Sequence, residues 1–335
     1  MKATDAKIAL ILPLADGHQE NSVNNNDFSR RTFLRTTALS GASLAFSGRL
    51  LSGDTRSVLL FTKSSGWEHD VVKTADGQPS IVERAVRELG KKHGFEVSAT
   101  KDGRIFDSSE FRTHSALLFF TTGDLTKSAT DGQPPMTDRG KQAFLNAVAN
   151  GIGFVGVHAA SDTFHTLPDP EDHSNRYVAH GESSDPYLRM LGGEFIVHGS
   201  DPRLQTANLI VNDANFPGLQ QVHSPVAFNE EWYSLKDFAP DIHAILTLDT
   251  KGMKGECYQR QPYPVTWARQ HGKGRVFYMA MGDRPENWQD AFFLDLLGGG
   301  IRWSVGAAGA DLSKNLMEVA PGYAQIPPPQ LPPHK

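Results

Sequence analysis

Four short apolar segments in the first half of the chain predict buried strands. They are Ser57–Thr62, Phe95–Thr100, Ser115–Thr121 and Gly153–His158. Runs of this length, bounded by polar or turn-forming residues, are typical of strands that are covered on both faces of a sheet.

Two helices are predicted between these strands. Apolar residues recur at helical spacing from Pro79 to His93, and Gly94 suits the left-handed position that follows a last helical turn. A second helix is predicted from Asp138 to Ala149, with Thr137 as its N-cap. Because strands that alternate with helices pair in parallel through right-handed crossovers, the pattern predicts an α/β domain with a mainly parallel central sheet.

The second half of the chain is predicted to contain four more strands and one long helix. The strands are Ala207–Val211, Ala244–Leu248, Pro264–Arg269 and Arg275–Met281, and the helix runs from about Asn287 to Gly306. The segment 161–199 is rich in His, Asp, Gly and Pro, and is long for a simple connection. Such segments usually carry function.

Composition narrows the class of protein. The chain has 335 residues, 39% of them hydrophobic and 21% charged, which is enough for a large core. Its net charge of -5, with scattered Lys and Arg, provides no basic surface for nucleic acid. Since Cys257 is the single cysteine, no disulfide can form within the chain.

The N-terminal region carries a twin-arginine pattern. Ser29–Arg35 reads Ser-Arg-Arg-Thr-Phe-Leu-Arg, and a weakly apolar run of small residues follows over Thr36–Phe46. The alternative is a chance arginine pair before an amphipathic helix. We predict a leader over 1–53 for periplasmic or extracytoplasmic export, an α/β domain over 54–308 and a Pro-rich tail over 309–335. The cleavage site and the true start codon stay open.

Ionisable residues follow the predicted strands, at the edge where ligands bind in doubly wound sheets. The segments are Lys63–Asp70, Thr121–Asp124, His158–His165 and Gly282–Arg284. One histidine alone is usually structural, but burying many titratable groups without a purpose is costly. The turn after Gly153–His158 places an imidazole where a nucleophile elbow carries its attacking residue.

Five blocks between Val58 and Gly306 match, in order, the pattern of one known family. The blocks are Thr62–His69, Gly151–Asp162, Gly192–His198, Asn229–Tyr233, and Pro264–Trp267 with Gly272–Tyr278. They resemble the ThuA-like trehalose-utilisation family. This resemblance implies a class I glutamine amidotransferase-like fold, which is a flavodoxin-like three-layer α/β/α sandwich. It also implies carbohydrate metabolism, often beside oxidoreductases that make keto-sugars, without specifying the reaction.

Two departures from the related patterns bear on chemistry. Position 158 is His where the amidotransferase elbow has Cys, and Cys257 lies elsewhere, so Cys-dependent glutaminase activity is not expected. Relatives often have Gly-His after the last strand, where this chain has Gly282 and Asp283. A carboxylate there can still bind a metal or a sugar hydroxyl.

The strand-end residues predict either metal-assisted or acid/base chemistry on a glycoside or keto-sugar. The expected metal ligands, with zinc as the most suitable ion, are His69, His158, His198 and Glu230. The expected acid/base set is His158, His69, Glu231 and Asp162. The ligand spacing matches no compact zinc motif, and no nucleotide cofactor is expected.

Substrate binding is expected to involve both aromatic and acidic residues. The candidates are Trp67, Asp124, Trp232, Tyr233 and Asp283. The aromatic rings suit sugar faces, but they are equally compatible with core packing. His165, His173 and His180 lie in the long loop, where simple solvation would explain them.

The expected partners are a small carbohydrate and the twin-arginine export machinery, with homo-oligomerisation left open. A noncatalytic periplasmic sugar-binding module is the alternative function. Such a module would bind ligand without turnover and without stoichiometric metal.

Overall fold

The computed structural model describes residues 55–75, 77–167 and 173–329. The predicted leader over 1–53 and the last six residues of the predicted tail lie outside the described residues. Among the helices of the described part, none has the length and apolar character needed to cross a membrane.

Five parallel strands form one half of a nine-stranded sheet. In spatial order they are β2 (Phe95–Thr100), β1 (Arg56–Phe61), β3 (Ala116–Phe119), β4 (Gly153–Val157) and β11 (Gly274–Met279). Each neighbouring pair in this half is parallel. The side chains of β3 and β4 are buried throughout, which explains their continuous apolar sequences.

The other half of the sheet is antiparallel. It continues from β11 through β10 (Tyr263–His271), β9 (His243–Asp249), β6 (Gln205–Val211) and β7 (Val226–Glu230). The alternation of strands and helices that predicted parallel pairing lies in the first half of the chain. In the second half, β10 and β11 are joined by a two-residue turn with Gly272 in the left-handed region. A connection this short permits only antiparallel pairing.

Helices cover the parallel half on both faces. They are α1 (Ile81–His93), α2 (Asp138–Ala149), α3 (Pro186–Leu191) and α4 (Ala291–Ser304), while the single turn α5 (Leu316–Val319) contacts β9 of the antiparallel half. The step from β1 to β2 runs along the sheet in the opposite direction to the step from β3 to β4, so right-handed crossovers place α1 and α2 on opposite faces. Contacts of α1 with α4 and of α2 with α3 complete the two layers. The predicted α/β class is confirmed.

The predicted helix signals are confirmed in detail at two ends. Thr137 Oγ1 accepts a hydrogen bond from the Gly140 N–H at the start of α2, and Gly94 adopts φ 75° after α1. The helix predicted over 287–306 is instead a 3-10 turn over Pro285–Gln289 followed by α4, because Asp290 caps a new helix start.

Two strands without a recognisable sequence signal form a separate small sheet. β5 (Glu194–His198) pairs antiparallel with β8 (Tyr233–Lys236). Buried Glu194 and Lys236 side chains approach each other to 3.4 Å in this pair. Neither strand was predicted, because they are only five and four residues long and each carries one charged member of this buried pair.

The loops after β1, β3 and β4 are connected to one another at the carboxyl edge of the sheet. Isolated bridges join Ser64 to Thr122 and Gly123 to Thr163. Gly123 has φ 72°, and a Cβ added there would lie 2.6 Å from the Gly66 nitrogen. Only glycine permits this close approach, so the three loops form one continuous rim.

A Gly300→Ala substitution tests the packing of α4 on β11. The added Cβ would lie 2.4 Å from the Phe277 ring, so we expect a loss of about 1–3 kcal/mol in unfolding free energy by urea denaturation. Gly309→Ala is the matched control, because a Cβ added at Gly309 would have no other heavy atom within 4 Å. Equal stability of the two variants would contradict this packing.

Candidate functional site

A cavity of about 1270 Å³ lies at the carboxyl ends of β1, β3 and β4. Eight of the predicted site residues line it: Trp67, His69, Asp124, Asp162, His198, Glu231, Tyr233 and Asp283. The paired strands β5 and β8 also contribute side chains to the cavity wall. The structure therefore brings together residues from six separate parts of the chain.

His158 follows β4 in a left-handed backbone conformation, with φ 45°. Its side chain is fully buried, and Nδ1 lies 2.7 Å from the Ala280 carbonyl oxygen at the end of β11. Since a carbonyl only accepts hydrogen bonds, Nδ1 carries a proton and donates it. The other nitrogen, Nε2, lies 3.4 Å from Glu231 Oε2. A non-glycine residue in this backbone region is strained, which is common at functional sites.

Four side chains converge beside His158. His69, His158, Glu231 and Asp283 each present one potential ligand atom, and these four atoms lie within 4.8 Å of one another. We call this set the four-residue cluster. Neither His69 Nδ1 nor His158 Nε2 has a hydrogen-bond partner among the described residues, although both atoms are buried. Two imidazoles and two carboxylates form a donor set that suits a divalent metal ion.

The protonation of these groups is strongly coupled. Burial, followed by the charge of His158, lowers the pKa of His69 to about 3. Burial also opposes protonation of His158, but Glu231 and Glu230 outweigh it and raise its pKa to about 9. For Glu231, burial is outweighed by His158, His198 and Arg203, which lower its pKa to about 2. The protein alone therefore holds neutral His69 beside an ion pair of His158 and Glu231 at neutral pH.

Arg203 belongs to this region but was not predicted from the sequence. Its Nη1 lies 2.7 Å from Glu231 Oε1 and 2.8 Å from Asp283 Oδ2. One guanidinium group therefore fixes one oxygen of each carboxylate. No local pattern indicates this role, because Arg203 lies in the loop after β5, far from Glu231 and Asp283 in sequence.

The structure corrects the prediction for Glu230. Its Oε2 accepts hydrogen bonds from the Gly282 N–H at 2.7 Å and from Asn287 Nδ2 at 2.8 Å. Its Oε1 accepts a hydrogen bond from the Glu231 N–H at 2.8 Å. Fully buried and occupied by these donors, Glu230 positions the backbone beside Asp283. Glu231 and Asp283, rather than Glu230 and His198, complete the four-residue cluster.

His198 lies just outside that cluster. Its Nε2 is 3.7 Å from Glu231 Oε1, and its Nδ1 lies 2.9 Å from the Gly199 carbonyl oxygen. It therefore lies beside the buried Glu231 carboxylate, while its own side chain is partly exposed.

The predicted aromatic residues have different environments. Trp232 is fully buried, and its indole Nε1–H donates to the Gln205 carbonyl at 2.9 Å, so the expected sugar contact is wrong and its role is core packing. Tyr233 lies against the cluster, with its ring centroid 4.1 Å from that of His158 and its hydroxyl 3.4 Å from His69 Nε2. Trp67 lines the cavity with 73% of its surface exposed.

His165 has two carboxylate partners and is not merely solvated. Its Nε2 lies 2.7 Å from Asp162 Oδ1, and its Nδ1 lies 2.9 Å from Glu194 Oε1. Burial alone would lower the pKa of His165, but the hydrogen bonds to the two carboxylates raise it to about 9. Burial likewise opposes ionisation of Asp162, but His165 lowers the pKa of that carboxyl group. Asp162 is therefore a charged residue on the cavity wall.

The comparisons with known proteins agree with this architecture. The ThuA family model, described as trehalose utilisation, matches residues 57–304. The chain belongs to the ThuA family. Membership indicates a carbohydrate-related function for this ThuA protein, and it confirms the resemblance that the sequence blocks indicated.

A solved structure of a ThuA-like protein from Bacteroides uniformis supports the fold. It is 19% identical and has a TM-score of 0.53, over 75% of this chain and 91% of that chain. Another ThuA-like structure, from Parabacteroides merdae, is 17% identical and has a TM-score of 0.49, over 82% of this chain and 97% of that chain. No curated protein matches the chain.

The His165 contacts predict a pH-dependent contribution to the stability of this ThuA domain. Since the pKa of His165 is about 9 when folded and about 6.5 when unfolded, its stabilising effect is full below pH 6.5 and is lost as pH rises through 9. The expected loss is on the order of 3 kcal/mol. Urea unfolding of wild type and His165→Gln at pH 6 and pH 9 measures it.

In that comparison the two proteins should become more similar at pH 9, because glutamine does not titrate. Titrating groups that do not contact His165 are common to both proteins and cancel in the difference, and, against the effect of burial, the pKa values of Asp162 and Glu194 are low in the wild type because of His165. A stability difference that stays constant between pH 6 and pH 9 would contradict the assigned ion pairs.

Proposed function

We propose that this ThuA-family protein is a sugar-processing enzyme whose four-residue cluster binds one divalent metal ion, with zinc as the most suitable ion. One observation carries the proposal. Four potential ligand atoms lie within 4.8 Å of one another, beside a cavity of about 1270 Å³. Family membership supplies the substrate class, which is carbohydrate.

The surroundings of the cluster fit a metal. Histidine ligands usually donate their second N–H to a carbonyl or carboxylate, which fixes the ring and its tautomer. His158 does this through the Ala280 carbonyl and directs Nε2 toward the cluster. Arg203 holds one oxygen of Glu231 and one of Asp283, so each carboxylate keeps a second oxygen. Mixed nitrogen and oxygen donors favour zinc over calcium or magnesium.

Residues on the same wall supply acid/base groups. A bound divalent ion polarises a substrate carbonyl or lowers the pKa of water. Asp162 is ionised, and His165 holds its Oδ1 at 2.7 Å, so this carboxylate is positioned to accept a proton from a sugar. With a keto-sugar the proton would come from the carbon beside the carbonyl, and with a glycoside it would come from the attacking water.

Two other functions receive less support. Cys257 is buried and is not among the residues lining the cavity, so amidase chemistry through a thiol has no basis there. A noncatalytic sugar-binding module would not require the converging ligand atoms of the cluster, but it would make use of the same cavity.

The cellular location is also a proposal. The twin-arginine pattern in Ser29–Arg35 supports export to the periplasm through the twin-arginine machinery, with a small carbohydrate as the partner there. This segment lies outside the described residues, so its support comes from sequence alone.

Metal analysis tests the function. Purified wild type is expected to hold about one equivalent of a divalent ion, whereas His69→Ala and Asp283→Asn should hold less than about a tenth of that, because each loses one of four ligands. His173→Ala is the matched control, since His173 is an exposed residue of the same cavity outside the cluster. Elemental analysis and calorimetric zinc titration give the two readouts.

Turnover is measured in parallel on glycosides and on their keto derivatives. Chelation should abolish turnover, and added zinc should restore it in wild type and in His173→Ala. A metal-free wild type with unchanged turnover would overturn the metal site. Sugar binding without turnover and without metal would identify the noncatalytic module instead.

A further inference from the structure

Trp67 is unlike the other four tryptophans of the chain. Its exposed fraction is 73%, whereas those of Trp232, Trp267, Trp288 and Trp303 do not exceed 3%. An indole is one of the largest apolar groups of a protein, and exposing it forgoes the stabilisation that burial would provide. An isolated exposed aromatic residue is ordinary, so exposure alone does not indicate a function for Trp67. Its location and the contacts of its backbone are the further evidence.

The backbone at Trp67 is tightly held. The N–H groups of Ser65 and Gly66 both donate to the Thr122 carbonyl, at 2.9 and 3.2 Å. The Thr122 hydroxyl donates to the Trp67 carbonyl at 2.8 Å. Gly123 packs so closely that a Cβ there would lie 2.6 Å from the Gly66 nitrogen. The loop after β3 therefore fixes the backbone from which the indole projects, so binding at this position requires no ordering of the main chain.

Trp67 also lies close to the four-residue cluster. Only one residue separates it from His69, so their Cα atoms are at most about 7 Å apart. Yet His69 is only 5% exposed and joins the cluster, while Trp67 stands in the opening of the same cavity. Leu167, 44% exposed, is a second apolar residue in the cavity wall. The cavity thus combines a deep polar end with an apolar contact near solvent.

The volume of the cavity indicates how large a ligand can extend from the cluster to the Trp67 indole. Its volume of about 1270 Å³ exceeds the range of roughly 300–1,000 Å³ that is typical for drug-sized ligands. One sugar ring placed over the cluster would leave most of that space, including the side occupied by the indole, to solvent. A sugar ring has an apolar C–H face and polar edges, so a second ring can pack on the indole while its hydroxyl groups stay hydrated.

We infer that Trp67 is the platform of a second sugar subsite, which receives the unit next to the reacting one in a glycoside of at least two sugar units. The reacting unit lies over the four-residue cluster, and the next unit stacks on the indole. This inference rests on the proposed function, because it places the reacting sugar at the cluster.

Acrylamide quenching of tryptophan fluorescence tests the subsite directly, since Trp67 is the exposed indole of the chain. The probes are trehalose, with two sugar units, and methyl α-glucoside, with one. Trehalose should protect wild type from quenching, and methyl α-glucoside should not. In Trp67→Ala the calorimetric affinity for trehalose should fall about 5- to 10-fold, the scale of one ring-stacking contact. The affinity for methyl α-glucoside and the metal content should stay unchanged.

Three results with wild type and Trp67→Ala would overturn the inference, and the Leu167→Ala comparison below adds a fourth. The first is the absence of trehalose-dependent protection in wild type. The second is an equal loss of affinity for both sugars in Trp67→Ala. The third is a requirement of Trp67 for phenyl glucoside but not for trehalose, which would assign the platform to an aromatic aglycone.

Leu167→Ala, measured alongside, shows whether an apolar loss elsewhere in the cavity has the same effect as Trp67→Ala. If Leu167→Ala weakens trehalose binding as much as Trp67→Ala does, Trp67 is not the platform of a second subsite.

Metal analysis distinguishes failure of the subsite from failure of the proposed function. If the protein holds one equivalent of metal but trehalose does not protect Trp67 from quenching, the subsite is wrong and the proposed function stands. If trehalose binding depends on Trp67 but the protein holds no metal, the subsite stands and the metal-based function is wrong.

Discussion

The geometry of the site depends on the hydrogen bond from His158 Nδ1 to the Ala280 carbonyl, 2.7 Å long and fully buried. It joins the ends of β4 and β11, which are neighbours in the sheet but 122 residues apart in the chain. Because this bond fixes Nδ1 as the donor to Ala280, it directs Nε2 toward Glu231. The Tyr278 hydroxyl, which donates to the His158 carbonyl at 2.9 Å, also holds the strained turn.

The charges around this anchor stabilise one another. Removing a carboxylate from water is costly, and the cost is offset only when hydrogen bonds and opposite charges take the place of the water. Glu231 has His158 on one oxygen and Arg203 on the other, while neighbouring Glu230 is satisfied by N–H donors. Adjacent residues of one strand end thus have different tasks. Glu230 fixes the backbone, and Glu231 presents a charge to the cavity.

A second group of charged residues in the cavity wall is also stabilised by mutual ion pairs. His165 lies between Asp162 and Glu194, and Glu194 also approaches Lys236 of the small sheet. The β5–β8 pair is thereby connected to the turn after β4. This connection holds His165 and ionised Asp162 in the wall of the cavity that Trp67 also lines.

The sequence alone determined the parallel half of the sheet, the helices α1 and α2, and the edge at which the polar residues meet. These features follow from local periodicity, from the residues that begin and end helices, and from the handedness of crossovers. His158, His69 and Asp162 were predicted as site residues in this way because each follows a recognisable strand, whereas Tyr233 was selected from the block Asn229–Tyr233 that carries the family resemblance. Only the tertiary structure decided between Glu230 and Glu231, placed Trp232 in the core and brought Arg203 to two distant carboxylates. The reason is that direction and partnership of side chains depend on contacts between segments far apart in sequence, which no local pattern encodes.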